Sequence, residues 1–213
     1  MTTYGDMQTR IADDLLRPDL IAQVRLAILD AIKTHEVSRF AFNQASTTFS
    51  TVVGQDEYTA STNAAIGTAI KIDRLRLLVG TSRYPMQQIG ANELDEMSIS
   101  TTSQGQPSVW CYEHEAIRLW QPPNQVYTVT MFYIARLATL SADSDTNAWT
   151  NDAERLIRTR AKINLLRDVT GIRTNDMATD IAALMAYEQE VLTELRGDVT
   201  RRQFTGRIRP TTY

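Results

Sequence analysis

The stretch TNDAERLIRTRAKINLLRDVTGIRTNDMATDIAALMAYEQEVLTELRGDVTRRQFTGRIRPTTY, residues 150–213, decides the fold of this chain. Apolar residues recur every three or four positions in two successive segments, Thr150 to about Val169 and about Asn175 to Arg196, which predicts two amphipathic helices. Gly171 and Gly197 follow these segments, and glycine tolerates the left-handed conformation that often ends a helix. We therefore expect a helical body that ends at Gly197.

The segment after Gly197, DVTRRQFTGRIRPTTY, is too polar and too short to bury a core of its own. From Arg196 to Tyr213 the chain carries five arginines against one acid, although the net charge of the whole chain is −3. Arginine and aromatic residues are favoured at the hot spots of protein interfaces. The pattern predicts an extended basic arm, 198–213, that docks on a partner, and a tail without a role is the alternative.

Two further helices are predicted at the N-terminus. Apolar residues four apart indicate a short helix from about Asp6 to Leu16. Pro18 can close that helix and begin the next, since the first helical position needs no N–H donor. Apolar residues then recur at a spacing of three and four as far as about Arg39. These helices, 1–39, and the later ones, 148–197, form a helical module that is discontinuous in sequence.

Between these helical segments the hydrophobic period changes to two. The alternation around Phe49 predicts a half-buried strand, and Gly54-Gln55-Asp56 predicts the turn after it. Other strands are predicted around Ile70–Val79, with a bulge between Ile72 and Leu75, and at Arg83–Met86, Val109–Glu113, Ala116–Trp120 and Tyr127–Arg136. Asn63 to Thr68 and Ser100 to Pro107 are predicted loops. The predicted class is α+β, with an antiparallel β module of five to seven strands, 40–137, inserted into the helical module.

Composition excludes several classes of protein. Hydrophobic residues make up 43% and charged residues 22% of the chain, as in globular proteins. The single cysteine, Cys111, excludes a disulfide within the chain. No apolar run approaches the roughly 20 residues that cross a bilayer, and the first residues lack the apolar core of a secretory signal. We expect a soluble protein that is made in the cytoplasm and does not bind a membrane.

Chemistry-bearing residues are few. Cys111 and His114, with Glu113 and Glu115 beside them, are ligand-type residues, but a zinc site needs three or four ligands. On a strand, Cys111 and His114 would also point to opposite faces. The chain has two histidines and no sequence motif of a hydrolase, a phosphate-binding loop or a metalloprotease. We expect neither catalysis nor a cofactor, and a metal enzyme built around Cys111 and His114 stays as an alternative.

The charges of the first C-terminal helix allow two readings. The arginines of this helix could contact the phosphates of DNA together with those of the arm, which would make the chain a DNA-binding module; on the helix they are Arg155, Arg158, Arg160 and Arg167. Acids interleave with them, however, which is typical of a solvated face or of a face that pairs with another subunit. The candidates for such a subunit interface are Arg155, Arg158, Arg160, Asp152 and Glu154.

Several segments together carry a resemblance to a known family. They are IADDLLRPDLIAQVRLAILDAI (11–32), RFAFNQASTTFSTVVGQDEY (39–58), IDRLRLLVG with RYPM (72–80 and 83–86), GQPSVWCYEHEAIRLWQPP (105–123), DTNAWTNDAERLIRTRAKINLLRDV (145–169) and TRRQFTGRIRP (200–210). In this order and spacing they resemble the head-to-tail adaptor, or connector, proteins of short-tailed phages and prophages. A head-completion or tail-terminator protein of the same kind of particle is the nearest alternative.

The resemblance implies a structural protein of the virion without catalytic residues. Twelve copies would form a ring below the portal at the head-tail junction. This ring would continue the channel for duplex DNA, which passes without sequence-specific contacts, and would carry the tail nozzle or tube. The family's helical part and C-terminal segment contact the portal, so the portal-binding residues would be Arg201, Arg202, Phe204, Arg207, Ile208, Arg209 and Tyr213. Two segments, Asn63–Thr68 and Ser100–Pro107, are candidates for contact with the tail.

Overall fold

The structure, a computed structural model, describes residues 1–99, 103–168 and 177–203, with 199–203 described by their backbone alone. Its contacts divide the chain into two compact units, Met1–Asn43 with Leu137–Tyr213, and Gln44–Arg136. The first unit contains only helices as regular elements among its described residues, and the second contains a sheet with two short helices. The predicted α+β class is confirmed.

The helices, in chain order, are α1 (Tyr4–Asp14), α2 (Ile21–Glu36), α3 (Ala64–Thr68), α4 (Ala91–Ser98), α5 (Ala148–Asn151), α6 (Glu154–Asp168) and α7 (Met177–Gln203). The strands are β1 (Gln44–Ser50), β2 (Glu57–Tyr58), β3 (Ala69–Val79), β4 (Ser82–Gln88), β5 (Val109–Glu113), β6 (Ala116–Trp120) and β7 (Thr128–Ala135). Pro18 is the first residue of a 3-10 turn, Pro18–Leu20, that leads into α2, so it begins this turn while α2 itself begins at Ile21.

The helical unit is held together by an apolar core to which α1, α2, α6 and α7 all contribute. Its fully buried residues include Met7, Ile28 and Leu156, and Val191 joins them from α7. An aromatic cluster closes one part of this core, because the ring of Trp149 meets those of Phe40 and Phe42 edge-on at centroid distances of 5.8 and 5.1 Å. Edge-to-face packing of this kind adds to the stabilisation that burial alone provides.

The C-terminal helix differs from its prediction. Helix α7 continues through Gly197 to Gln203, so the prediction that the helix ends at Gly197 is wrong, and 198–203 are not part of an extended arm. Gly197 does not have the positive φ of a helix-ending glycine, and no proline follows before Pro210, so nothing local stops the helix. Gly171 and the predicted first residues of this helix, from Asn175, lie outside the described residues.

The start of the preceding helix was predicted at Thr150, and this too needs correction. Asn147 caps the short helix α5, and its side chain accepts hydrogen bonds from the backbone of that first turn. Thr150 is the third residue of α5, and its side-chain oxygen accepts a hydrogen bond from the backbone N–H of Asn147. Thr150 is therefore the reciprocal partner in a capping box rather than the cap itself.

The second unit is built on a seven-stranded sheet in the order β1-β7-β3-β4-β5-β6-β2. All of its described pairs are antiparallel as predicted, except that β4 and β5 are parallel, with Gln87 opposite Val109. A parallel pair requires a long connection, and the chain between the two strands supplies one that includes α4. The predicted bulge in β3 is confirmed by a shift of register between Ile72 and Arg74.

Two smaller elements of this unit were not anticipated. Asn63–Thr68, predicted as a loop, contains helix α3, because the Asn63 side chain caps it by accepting a hydrogen bond from the N–H of Ala65. Strand β2 has only two residues, too few to show a period. Tyr58 of β2 is nonetheless fully buried, and its hydroxyl donates to the Gln55 carbonyl at 2.7 Å, which closes the turn around Gly54.

Candidate functional site

The predicted portal-binding residues fall at the C-terminal end of the chain. Arg201 and Arg202 lie in the last turn of α7. The other members of the set lie outside the described residues, namely Phe204, Arg207, Ile208, Arg209 and Tyr213. The part of the predicted arm that lies outside the described residues therefore starts at 204, and its sequence contains arginine, aromatic and apolar residues.

Two of the predicted interface residues, Arg158 and Glu154, belong to a network between α6 and α1. Arg158 donates to Asp14 at 2.7 Å and also contacts Glu154, which accepts a hydrogen bond from Arg10 at 2.7 Å. Lys162 reaches the same Asp14 oxygen at 2.5 Å. Burial acts to raise the pKa of Asp14, but the hydrogen bonds from Lys162 and Arg158 outweigh it and lower the pKa. Asp14 therefore stays ionised and ties α1 to α6.

A third predicted interface residue, Arg160, faces the core of the helical unit. Its Nη1 lies 3.6 Å from Oε2 of Glu188, and the other oxygen of that carboxylate lies 3.0 Å from Nε2 of His35. Glu188 and His35 are 4% and 5% exposed. Burial lowers the pKa of His35, and the Glu188 carboxylate acts in the opposite direction without cancelling this effect.

The remaining two candidates, Arg155 and Asp152, lie nearer the surface. Nη2 of Arg155 donates to both carboxylate oxygens of Glu194 of α7, at 2.9 and 3.0 Å, with more than half of each side chain exposed. Asp152 lines a cavity of about 110 Å³ with Phe42, Leu195 and Asp198 among the other lining residues. Most of the charges predicted for a subunit interface thus have partners inside the chain, and a role between subunits stays a prediction.

The alternative built on Cys111 and His114 finds little support in geometry. Cys111 is buried at 2% exposure on β5, and burial, with the negative charge of Glu113, raises the pKa of its thiol. His114 lies in the turn between β5 and β6 with a positive φ of 49°. Among the residues that the structure describes, no cluster of three or more histidine, cysteine, aspartate or glutamate side chains could hold a metal ion.

A charged surface that the sequence analysis did not select lies on the sheet. In the register of β3 and β7, Lys71 is opposite Ile134, Arg74 is opposite Phe132 and Arg76 is opposite Thr130. Their partners alternate along β7, so the three cations share one face of the sheet. Arg83 of β4 is opposite Leu78, the next position of the same face. The sequence signal is the alternation of Arg74 and Arg76 with Leu75 and Leu77, which predicts a strand but not its neighbours.

The two arginines at the centre of this face are held by an aromatic ring. The guanidinium carbon of Arg74 lies 4.3 Å and that of Arg76 lies 5.2 Å from the centroid of the Phe132 ring. A cation over an aromatic face at this distance is attracted by the ring's quadrupole. The opposite face carries Leu75, Leu77 and Met131, which are all fully buried in the core of this unit.

Comparison with known proteins places the chain in a family. No curated protein matches it. None of the helices in the described part of the chain is both long and apolar enough to span a membrane. The family model described as SU10 adaptor protein matches residues 2–211, which is nearly the whole chain. The chain therefore belongs to the SU10 adaptor protein family.

Proposed function

We propose that this chain is a non-enzymatic head-to-tail adaptor of a short-tailed phage. The observation that carries the proposal is the match of the adaptor family model over residues 2–211. Membership of that family supports a structural role in the phage particle and contacts with portal and tail proteins. The described residues offer no metal cluster that would favour an enzyme instead.

In this proposal twelve copies form a ring below the portal and continue the channel through which duplex DNA passes. A head-to-tail contact between identical subunits closes into a ring when its rotation allows. The helical segments 1–39 and 148–197 act as the portal-side domain, and the β module, 40–137, faces the tail nozzle or tube. The particle is assembled in the host cytoplasm, and genome ejection passes through the ring.

The subunit contact would use charges that the chain does not bury. Arg155 and Glu194 expose 57% and 55% of their side chains, so this pair can exchange partners with a neighbouring copy at little cost. Asp152 is exposed beside the small cavity that it lines. Arg158, Arg160 and Glu154 would act indirectly, because their contacts with α1 and α7 hold α6 in place.

Portal docking would rest on the segment after α7. Arg201 and Arg202 would lead from the helix into 204–213, which supplies Phe204, Arg207, Ile208, Arg209 and Tyr213 as anchors. Arginine and aromatic side chains contribute most where they are desolvated in a partner's pocket. A segment that orders on its partner spends its conformational entropy at that step, so docking would follow portal assembly.

The test is a deletion of 204–213, which leaves α7 whole, mixed with the cognate portal ring. We expect the truncated chain to have the thermal stability of the full chain and to lose co-sedimentation with the portal. The matched control keeps the full length and replaces Lys33 and Arg17, two cations of the helical unit whose ion pairs are with Asp30 and Asp19 close by in sequence, by glutamine. Normal docking by the truncated chain would overturn the proposed arm. Electron micrographs of the particle, with the copy number at the head-tail junction, test the ring.

A further inference from the structure

The sheet of the second unit carries a face on which four cations have no acid opposite them in the cross-strand register; the nearest acid in sequence, Asp73, lies in the bulge between Ile72 and Arg74. Cross-strand register places on this face Gln44, Ser46, Thr48 and Ser50 of β1, Thr128, Thr130, Phe132 and Ile134 of β7, Lys71, Arg74, Arg76 and Leu78 of β3, and Arg83 and Pro85 of β4. None of these register positions is an aspartate or a glutamate, although the whole chain has more acids than cations. We call this set the cationic sheet face.

The cations of this face are accessible to solvent and lie in a row. Lys71, Arg74 and Arg83 are exposed and Arg76 is half-buried. Alternate residues of a strand lie about 7 Å apart on the same face, so Arg74 and Arg76 present a regular spacing of charge. Because Phe132 stacks under both guanidinium groups, they lose less conformational freedom when they bind a ligand. The N–H groups that do not face the ring remain available as donors.

Hydroxyl groups border the cations on their β1 side. Ser46, Thr48 and Ser50 are exposed, and Thr130 lies directly opposite both Thr48 of β1 and Arg76 of β3. Serine, threonine, lysine and arginine side chains are among the groups that contact phosphate oxygens in protein–DNA complexes. Such contacts carry no sequence information, since the phosphates are the same at every base pair.

We propose that the cationic sheet face binds the phosphate backbone of duplex DNA without sequence specificity. An acidic protein surface is the other ligand that cations could recognise. Protein interfaces are depleted of lysine and serine relative to the rest of the protein surface, whereas this face exposes Lys71, Ser46 and Ser50. Here the centre is Arg74 and Arg76, and the large apolar ring among them, Phe132, is already covered by those arginines. Charge complementarity therefore favours a polyanion over a protein.

The inference rests on the proposed adaptor function for its biological setting, because the DNA would be the genome that passes through the ring. The binding itself is measured with the isolated full chain and needs no portal. Loss of portal docking after deletion of 204–213 tests the adaptor, and loss of DNA binding after changes in β3 and β4 tests the sheet face. The two failures are thus distinguishable.

The experiment follows the fluorescence anisotropy of a labelled duplex of mixed sequence as the full chain is added, between about 50 and 200 mM salt. If three to four phosphates are neutralised, the logarithm of the binding constant should fall with the logarithm of salt with a slope of about −3 to −4. In the triple variant R74Q/R76Q/R83Q the slope should become less steep by about 3, with affinity lost on all sequences alike.

Two control variants separate charge from fold. The triple variant R10Q/R17Q/K33Q removes the same number of cations from the helical unit and should keep the wild-type slope. The variant R74K/R76K changes two of the same side chains but retains their charges, so it should keep most of the salt dependence. A variant that lost DNA binding because it misfolded would not keep it. An unchanged slope in R74Q/R76Q/R83Q, or an equal loss in the helical control, would overturn the proposal. Undiminished DNA binding with loss of a tail-protein contact would make the face a protein interface.

Discussion

Nε2 of His35 on α2 lies 3.0 Å from Oε1 of Glu188 on α7, and both side chains are almost completely buried. The second oxygen of Glu188 faces Arg160 of α6 at 3.6 Å. One carboxylate thus joins three helices of the helical unit. Glu194, also on α7, pairs with Arg155 of α6 as well, but this ion pair is exposed to solvent. The pair of glutamates offers a comparison between a buried and an exposed contact in the same helix.

Glu188→Gln should destabilise the chain by about 1–3 kcal/mol, because Arg160 would lose its charged partner in a poorly solvated position. Glu194→Gln should cost less than about 1 kcal/mol, since its ion pair is screened by water. Both free energies of unfolding can be measured by urea denaturation monitored by circular dichroism. Equal costs for the two substitutions would mean that the buried contact contributes no more than the exposed one.

The stability of the helical unit should fall as the pH is lowered below about 6.5. Burial depresses the pKa of His35 in the folded chain, so between that pKa and 6.5 the unfolded chain binds more protons than the folded one. Glu188 opposes this shift, whereas the cations Arg160 and Arg196 reinforce it. The stability is present above pH 6.5 and is lost progressively as the pH decreases.

Melting temperatures of the wild type and of His35→Gln, compared from about pH 8 to about pH 5, test this effect. The wild-type temperature should decrease toward the acid end more steeply than that of the variant. The carboxylates with lowered pKa values, such as Asp14, would lose their contribution only at lower pH, as their folded pKa is passed. Parallel curves, or a wild type that gains stability on acidification, would contradict the assignment.

The elements that the sequence predicted well are those with a long or pure hydrophobic period. Helix α2 and the strands β5 and β6 follow their predicted bounds closely. The order of apolar and polar residues along each of these segments is enough to predict which side chains are buried. Strand β2 exists because Tyr58 lies opposite Ile117 of β6, and Asn63, which precedes α3, donates to the Thr48 carbonyl of β1. Local pattern does not contain those partners, so these elements could not be predicted.

In the candidate sites, too, the sequence identifies the charged residues, whereas the fold determines which residues they contact. The charges of α6 could be recognised in the sequence, but Arg158 meets Asp14 across a separation of 144 residues. Only the packing of α1 on α6 reveals that these charges are satisfied within the chain. The cationic sheet face requires the register of β1, β3, β4 and β7, because its members come from four strands. Periodicity places Arg74 on a strand and gives no information about Phe132 beneath it.

Cys111 should react slowly with a thiol reagent in the folded chain. Its side chain is 2% exposed, and burial raises the pKa of the thiol, so little of the reactive thiolate is present near neutral pH. Ellman's reagent at about pH 8 should give complete reaction only after denaturant is added. Fast reaction of the native chain, or protection that depends on added zinc, would instead support a reactive or metal-binding role for Cys111.

Gly197 and Gly80 provide the sharpest test of how α7 ends. A Cβ atom added at either glycine would meet no heavy atom within 4 Å, so steric space is the same for both. They differ in backbone conformation, because Gly80 has φ +59° in the turn between β3 and β4, whereas Gly197 lies inside a helix. Gly197→Ala should therefore stabilise the chain by up to about 1 kcal/mol through the helix propensity of alanine. Gly80→Ala should destabilise it by about 1 kcal/mol or more, because alanine is strained in the left-handed region. Urea denaturation of the two variants measures both signs, and a destabilising Gly197→Ala would restore Gly197 as the residue that ends the helix, with the basic arm beginning at Asp198.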